Sequence, residues 1–252
     1  MSNDENRIQQ LDFRSRIYDK YVHSRQTSLA PANISGLRSR EPYLNLLIGK
    51  HFPADHSATI LDLGSGHGTL VHLATRAGYS NISGVDCSPE QVAEAARLGI
   101  GNVRLGDLME TLASLQPDSH DAIVTFDVIE HFTRAELLCL VDEVRRVLKS
   151  EGVWIIHAPN GESPFFGRIL FGDATHEQAF TRISIGQLLL ASGFREVNCF
   201  EDTPIVHGLR SALRLMVWKT CRGFMRLYLA AETGDTGSDA IFSQNFLTIA
   251  FK

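Results

Sequence analysis

Residues 60–70 read ILDLGSGHGTL: an apolar run ends at Leu63, Gly64, Ser65, Gly66, His67 and Gly68 form a turn, and a helix opens near Thr69. Glycines in such a turn admit positive φ and let the backbone approach a ligand closely. The free N–H groups at the helix start favour an anionic or carboxylate group. Asp62 sits inside the run, and Asp86 closes the next apolar run, NISGVD (81–86). An acid at that second strand end can accept both hydroxyls of a ribose. The glycines alone read as a tight strand–helix turn; with Asp86 they read as a nucleoside site.

Working outward, ATILDL (58–63), NVRLGD (102–107), DAIVTFD (121–127) and VWIIHA (153–158) also read as short strands, separated by helical segments such as PEQVAEAARLG and AELLCLVDEVRRVLKS. Strand and helix alternating at this spacing predict a parallel sheet with crossover helices. A polar, Gly-rich loop follows over 159–180, then a helix around 184–193, a strand near 195–201, a helical insert over 206–232 and a closing strand, NFLTIAFK. The first 55 residues read as helical. IQQLDFRSRIYDKYVH places Ile8, Leu11, Ile17 and Tyr21 at helical spacing, and EPYLNLLIGKHF supplies a second apolar stripe. The chain divides into a helical N-terminal extension or lid (1–55), a core (56–203), a basic insert (204–240) and a final strand (241–252).

With 252 residues, 44% hydrophobic and 21% charged, the chain can bury a full core without disulfides. That composition excludes collagen-like and wholly disordered readings. A net charge of −5 argues against a dedicated nucleic-acid binder. Cys87, Cys139, Cys199 and Cys221 form no C-x-x-C pair, and MSNDENRIQQLDF lacks the basic and then apolar stretches of a signal peptide. The expectation is a cytoplasmic protein with reduced thiols and no nucleic-acid partner, as a monomer or a homodimer.

ILDLGSGHG resembles motif I of the class I S-adenosylmethionine-dependent methyltransferases, and GVDCSPEQV resembles their second motif. Gly106-Asp107 resembles the acid that meets the adenine amino group. EVRRVLKSEGVWIIHAPN (143–160) resembles their R-x-L-K-P-G-G helix–turn–strand, with Ser150, Glu151 and Gly152 in the turn. The resemblance implies a Rossmann-like, seven-stranded doubly wound α/β sheet with its last strand antiparallel, and S-adenosyl-L-methionine as cofactor. It places Asp62 and Gly64 at the methionine end, Asp86 on the ribose, Cys87 beside the adenine, and Asp107 and Leu108 at the adenine edge. Ser65, Gly66, Gly68 and Phe126 complete the cofactor-binding set. Asp107 reads equally as a helix N-cap before LMETLASL.

DAIVTFD runs into VIEHF, so Asp127, Glu130 and His131 fall at a strand's carboxyl end, where ligands bind in doubly wound sheets. Spacings of three and four let them share one face of a helical turn. Two carboxylates and an imidazole suit Mg, Mn, Fe or Zn. GDATHEQAFT adds His176 beside Asp173 and Glu177. D-x-x-E-H with a downstream T-H-x-x-x-F resembles the ubiquinone-biosynthesis O-methyltransferases and the small-RNA 3′-terminal 2′-O-methyltransferases. Those families carry E-x-x-E-H and a later His as a divalent-metal site and act on vicinal diols; here Asp127 stands at the first Glu. The candidate metal ligands are therefore Asp127, Glu130, His131 and His176, and the catalytic candidates are His131 and Glu130. Without a metal, His131 reads as a general base or as a structural histidine.

The insert GLRSALRLMVWKTCRGFMRLYLAA carries Arg210, Arg214, Lys219, Arg222 and Arg226, and residues 203–231 contain no acid. It reads as a basic amphipathic helix, for anionic lipid or a pyrophosphate-linked substrate, or else as a lid or dimer helix. The layout, with APN, T-H-E-x-x-F-T and a closing S-Q-N strand, resembles methyltransferases of bacterial surface-polysaccharide pathways. That implies a sugar hydroxyl on a nucleotide- or lipid-linked glycan as acceptor, while the basic helix itself suggests peripheral contact with the inner membrane face through 208–230. The expected activity is divalent-metal-assisted O-methylation of a diol-bearing acceptor. Its rivals are a catechol or quinol O-methyltransferase, an RNA ribose 2′-O-methyltransferase and a non-catalytic cofactor binder. Tyr18 and Tyr21 read as cofactor contacts or as core.

Overall fold

Apolar residues alternate along each central strand, and this alternation builds two cores. Ile60/Leu61, Ile123/Val124, Trp154/Ile155 and Phe246/Leu247 send successive side chains to opposite sides of one sheet. The computed structural model describes residues 13, 14, 16–24, 30–235, 237 and 239–252. Ile8 and Leu11, expected on the first helix, lie outside the described residues.

The strands are β1 (Thr59–Leu63), β2 (Asn81–Asp86), β3 (Val103–Leu105), β4 (His120–Phe126), β5 (Leu148–Pro159), β6 (Glu196–Glu201) and β7 (Asn245–Phe251). They lie in the order β3-β2-β1-β4-β5-β7-β6. The first five run parallel, and β7 is antiparallel to both β5 and β6. The expected seven-stranded, doubly wound sheet with a reversed last strand is thus observed.

A short helix α1 (Tyr21–Ser24) and a 3-10 turn (Ile34–Ser39) precede α2 (Glu41–His51). Then α3 (Thr69–Arg76) follows β1, α4 (Pro89–Arg97) follows β2, α5 (Leu108–Ser114) follows β3 and α6 (Arg134–Val147) follows β4. On one face Leu44, Leu47 and Ile48 of α2 pack with α3 and α4; on the other α5, α6 and α8 (Arg182–Ala191) cover the sheet. Residues 41–52, assigned to an N-terminal extension, therefore form part of the core layer. Helix starts are fixed locally. Ser88 caps α4 ahead of Pro89, Asp107 caps α5, and Thr133 with Glu136 forms a capping box at α6.

One stretch differs from the reading of the sequence. The 159–180 loop contains a short helix α7 (Phe166–Leu170), whose single turn is too short to leave a periodic pattern. The helical insert is observed as expected, as one unbroken helix, α9 (Leu209–Thr233), ended by Gly234 in the left-handed region, φ 77°. No helix among the described residues is long and apolar enough to cross a membrane.

Candidate active site

A cavity of about 1090 Å³ opens at the carboxyl ends of β1, β2 and β4. Among the described residues nine carboxylates and three arginines line it, so its field favours a cation. Asp62, Gly64, Ser65, Gly66, Asp86, Cys87, Asp107, Leu108 and Phe126 all reach it; Gly68 does not. Gly68 serves packing instead. A Cβ there would come within 2.9 Å of Ile100 and 2.7 Å of Val103.

The turn is held by the neighbouring strand. The Gly64 and Ser65 N–H groups both donate to the Val85 carbonyl, at 2.8 and 3.0 Å. Gly64 sits at φ 73°, and a Cβ there would lie 2.4 Å from Val128 Cγ2. Replacing Gly64 by Ala therefore adds left-handed strain to a clash against buried Val128. A cost of about 2–3 kcal/mol is expected, and with it a tenfold or greater loss of S-adenosylhomocysteine affinity by calorimetric titration.

Asp86 accepts the Gly66 N–H at 2.7 Å and the Ser88 N–H at 2.9 Å. A carboxylate has about four lone-pair positions, so capacity remains for ligand hydroxyls. Burial raises its pKa above the ordinary value, against those two hydrogen bonds. Asp62 is 2% exposed, and its Oδ1 has no hydrogen-bond partner. Burial first, and then the negative Asp86, push its carboxyl up to about 8. A positively charged ligand beside it would relieve both penalties. Burial likewise pushes the Cys87 thiol up to about 12, which makes it an apolar wall and no nucleophile. Asp107 has both of its expected roles available: Oδ1 accepts the Glu110 N–H at 2.9 Å while the residue faces the cavity.

The cavity continues to a second cluster. Glu130, His131 and His176 place one ligand atom each within 4.8 Å of one another. The His176 Nδ1–H donates to the Ile169 carbonyl at 3.1 Å, leaving Nε2, which lies 4.0 Å from Glu130 Oε1. His131 Nδ1 is 3.3 Å from the Thr175 carbonyl and 2.9 Å from Thr175 Oγ1. That hydroxyl donates to Asp173 Oδ1 at 2.6 Å, so it accepts from His131. Both imidazoles therefore have Nδ1 engaged and turn Nε2 away from those partners, the orientation that hydrogen bonds from neighbouring groups impose on metal-binding histidines. Burial first, then the His176 charge, lower the His131 pKa to about 4, so it is neutral at pH 7. Glu130 is 1% exposed with an unpartnered Oε2. Burial and then Asp127 push it well above the usual carboxylate range. A buried acid whose Oε2 has no hydrogen-bond partner, placed beside two imidazoles, fits a divalent cation.

Asp127, expected as a fourth ligand, is diverted. The segment after β4 is a 3-10 turn, Ile129–His131, and Asp127 lies before it at φ 57°, so the three residues do not share a helical face. Asp127 Oδ1 instead meets His157 Nδ1 at 2.6 Å, and Asp202 Oδ2 meets His157 Nε2 at 2.7 Å. His157 stacks on Phe126, 3.9 Å between ring centres, and the Tyr43 hydroxyl donates to Asp202 at 2.7 Å. Sequence reading missed this network because His157 lies inside a strand, and its two acids come from positions 127 and 202.

The loop carrying His176 is tied to the Glu130 turn by backbone. The Glu177 and Gln178 N–H groups donate to the Glu130 carbonyl at 2.8 and 3.2 Å. The N-terminal segment closes over both: Tyr21 donates to Asp173 at 2.9 Å, and Arg14 pairs with Glu136 at 2.9 Å. Tyr18 and Tyr21 line the cavity, with the Tyr18 ring edge-on to His131.

Residues 60–152 match the model of a methyltransferase domain. Over 110 residues the chain is 32% identical to ribosomal protein L11 methyltransferase of Clostridium perfringens, a match covering 43% of this chain and 33% of that protein. The chain thus spans a third of the length of that relative. Its fold is similar to that of a SAM-dependent methyltransferase from Archaeoglobus fulgidus, with a TM-score of 0.61, 19% identity, and coverage of 86% of this chain and 93% of the other. It is also similar to a possible histamine N-methyltransferase from Thermotoga maritima, with a TM-score of 0.57, 16% identity, and coverage of 94% and 97%. With the glycine turn, the Asp62–Asp86 pair and the reversed β7, these matches show that the chain has the fold of the class I S-adenosylmethionine-dependent methyltransferases and carries a methyltransferase domain over residues 60–152.

Proposed function

We propose that the protein is an S-adenosylmethionine-dependent O-methyltransferase whose acceptor carries two adjacent hydroxyls, with a divalent cation held by Glu130, His131 and His176. The observation that carries the reading is the convergence of those three ligand atoms within 4.8 Å, in the cavity that the glycine turn also lines. The similarity to the ribosomal protein L11 methyltransferase falls on 110 residues and does not transfer its acceptor.

Bound S-adenosylmethionine supplies an electrophilic methyl on a positive sulfur. Asp62 and the Gly64–Gly66 backbone would hold its methionine end, and Asp86 its ribose. Leu108, Cys87 and Asp107 would border the adenine. A divalent cation supplies Lewis acidity toward a hydroxyl pair and orients both oxygens. The protein's own contribution is to fix the two imidazoles through Thr175 and Ile169, and to align an acceptor oxygen with the methyl. His131, neutral with a pKa near 4, is better suited to ligation than to accepting a hydroxyl proton, since a general base works best near the operating pH. A sugar hydroxyl on a glycan is the acceptor class we favour, and localisation at the inner membrane face goes with it.

The test is metal content of protein purified without chelators, paired with turnover on a panel of cis-diols, catechols and matched mono-hydroxy analogues, with and without EDTA. Near-stoichiometric metal, EDTA-sensitive turnover and a requirement for the second hydroxyl are expected. Metal-independent methylation of an amine or of an isolated hydroxyl would overturn the reading.

A further inference from the structure

An amphipathic helix of a globular protein normally turns its apolar stripe inward. In α9 the larger apolar stripe points outward. Leu209, Leu213, Met216, Phe224, Leu227 and Tyr228 recur at helical spacing and are 58–91% exposed. Ser211 is the only buried residue in this helix of 25 residues. The opposite side holds the helix to the body: Leu215, Trp218, Met225 and Leu229 are half-buried there. On that side Arg222 pairs with Glu201 at 2.7 Å and donates to the Ala240 carbonyl at 3.2 Å.

The outward stripe is flanked by cations on both edges. Arg210 and Arg214 border one side and Lys219 the other, all exposed. Residues 203–231 contain no acid, although the chain as a whole carries −5. At about 1.5 Å per residue the helix offers a straight ridge of ~37 Å. A second copy docking on this ridge would bring like charges together along both flanks. A plane that is apolar beneath an anionic surface matches each part: the stripe enters the acyl boundary and the basic side chains reach back to headgroups. Phe165 and Phe171, three positions either side of cavity-lining Arg168, are exposed as well.

We propose that the outward face of α9 docks the protein in the plane of an anionic phospholipid surface. The inference is independent of methyl transfer, since α9 lies outside residues 60–152. The test is co-sedimentation of the full chain with vesicles of phosphatidylcholine alone, and with vesicles containing 30% phosphatidylglycerol. At least tenfold stronger binding to the anionic vesicles is expected, falling steeply between 50 and 500 mM salt, on the order expected when a few basic residues meet the surface. Leu213→Glu with Phe224→Glu should abolish it, and Arg214→Gln with Lys219→Gln should weaken it, while circular dichroism and S-adenosylhomocysteine binding stay unchanged. Equal binding to both vesicle types, no binding to either, or a concentration-dependent dimer lost in the Leu213/Phe224 variant would each overturn the proposal.

Discussion

Replacing Glu130 by Gln is expected to lower turnover by about 10³-fold or more, roughly 4 kcal/mol of transition-state stabilisation, with S-adenosylhomocysteine affinity changed less than about twofold. The side chain is enclosed, its Oε2 has no partner, and Oε1 faces His176 Nε2 at 4.0 Å. An amide there would withdraw the one carboxylate of the proposed cation site and turn an N–H toward it. The loop survives the change, because Glu177 and Gln178 are held by the Glu130 backbone carbonyl and not by its side chain. His176→Ala should give the same split, with loss of bound metal by elemental analysis. If either variant kept wild-type turnover, the cluster would be structural.

The largest stability effect is expected at His157. It is 4% exposed and lies between Asp127 and Asp202. Burial alone would depress its pKa, but the two acids outweigh burial and raise it to about 10. Asp127 responds in the opposite direction: burial pushes it up, and the charge and hydrogen bond of His157 bring it below the ordinary value. Removing the imidazole leaves two acids facing each other, which for a buried pair costs about 3–5 kcal/mol. The Asp127 side chain is 43% exposed, so solvent screens its share and the lower end of that range applies. His157→Gln should therefore lower the urea midpoint at pH 6. Because the folded pKa exceeds the unfolded value near 6.5, the contribution is complete below about pH 6.5 and disappears as pH rises through about 10. Wild-type stability should decline across that window, and the His157→Gln curve should be flatter. Parallel curves would remove the charge from the explanation.

What was legible in the sequence was what repeats or touches locally. β2 was read at its observed limits, 81–86, because a buried parallel strand is an apolar run bounded by turn residues. The glycine turn, Asp62 and Asp86 are separated only by one strand–helix–strand unit, so order along the chain stands in for proximity. Asp127 shows where spacing fails. Three and four residues place side chains on one face only in an α-helix, and the chain there makes a single 3-10 turn after a left-handed residue. The fixing of His131 by Thr175 and of His176 by Ile169 depends on how the loop after β5 folds back, which no periodicity encodes. The direction of the α9 stripe is equally hidden. Amphipathic spacing gives the stripe but not which side meets the sheet.

The stapling of the 173–180 loop to the Glu130 carbonyl joins two parts of the site that lie far apart along the chain. The Gly66–Asp86 hydrogen bond of the nucleoside cradle spans only 20 positions. His131 and its Thr175 partner are 44 positions apart and meet only after α6 and β5 have joined the sheet. Closing that longer loop costs more chain entropy, and few enclosed apolar contacts repay it at the loop itself. The His131–Thr175 end of the site is therefore expected to open before the glycine turn, read as faster amide hydrogen exchange. A chain in that partly opened condition would still hold its donor and would have lost the means to use it.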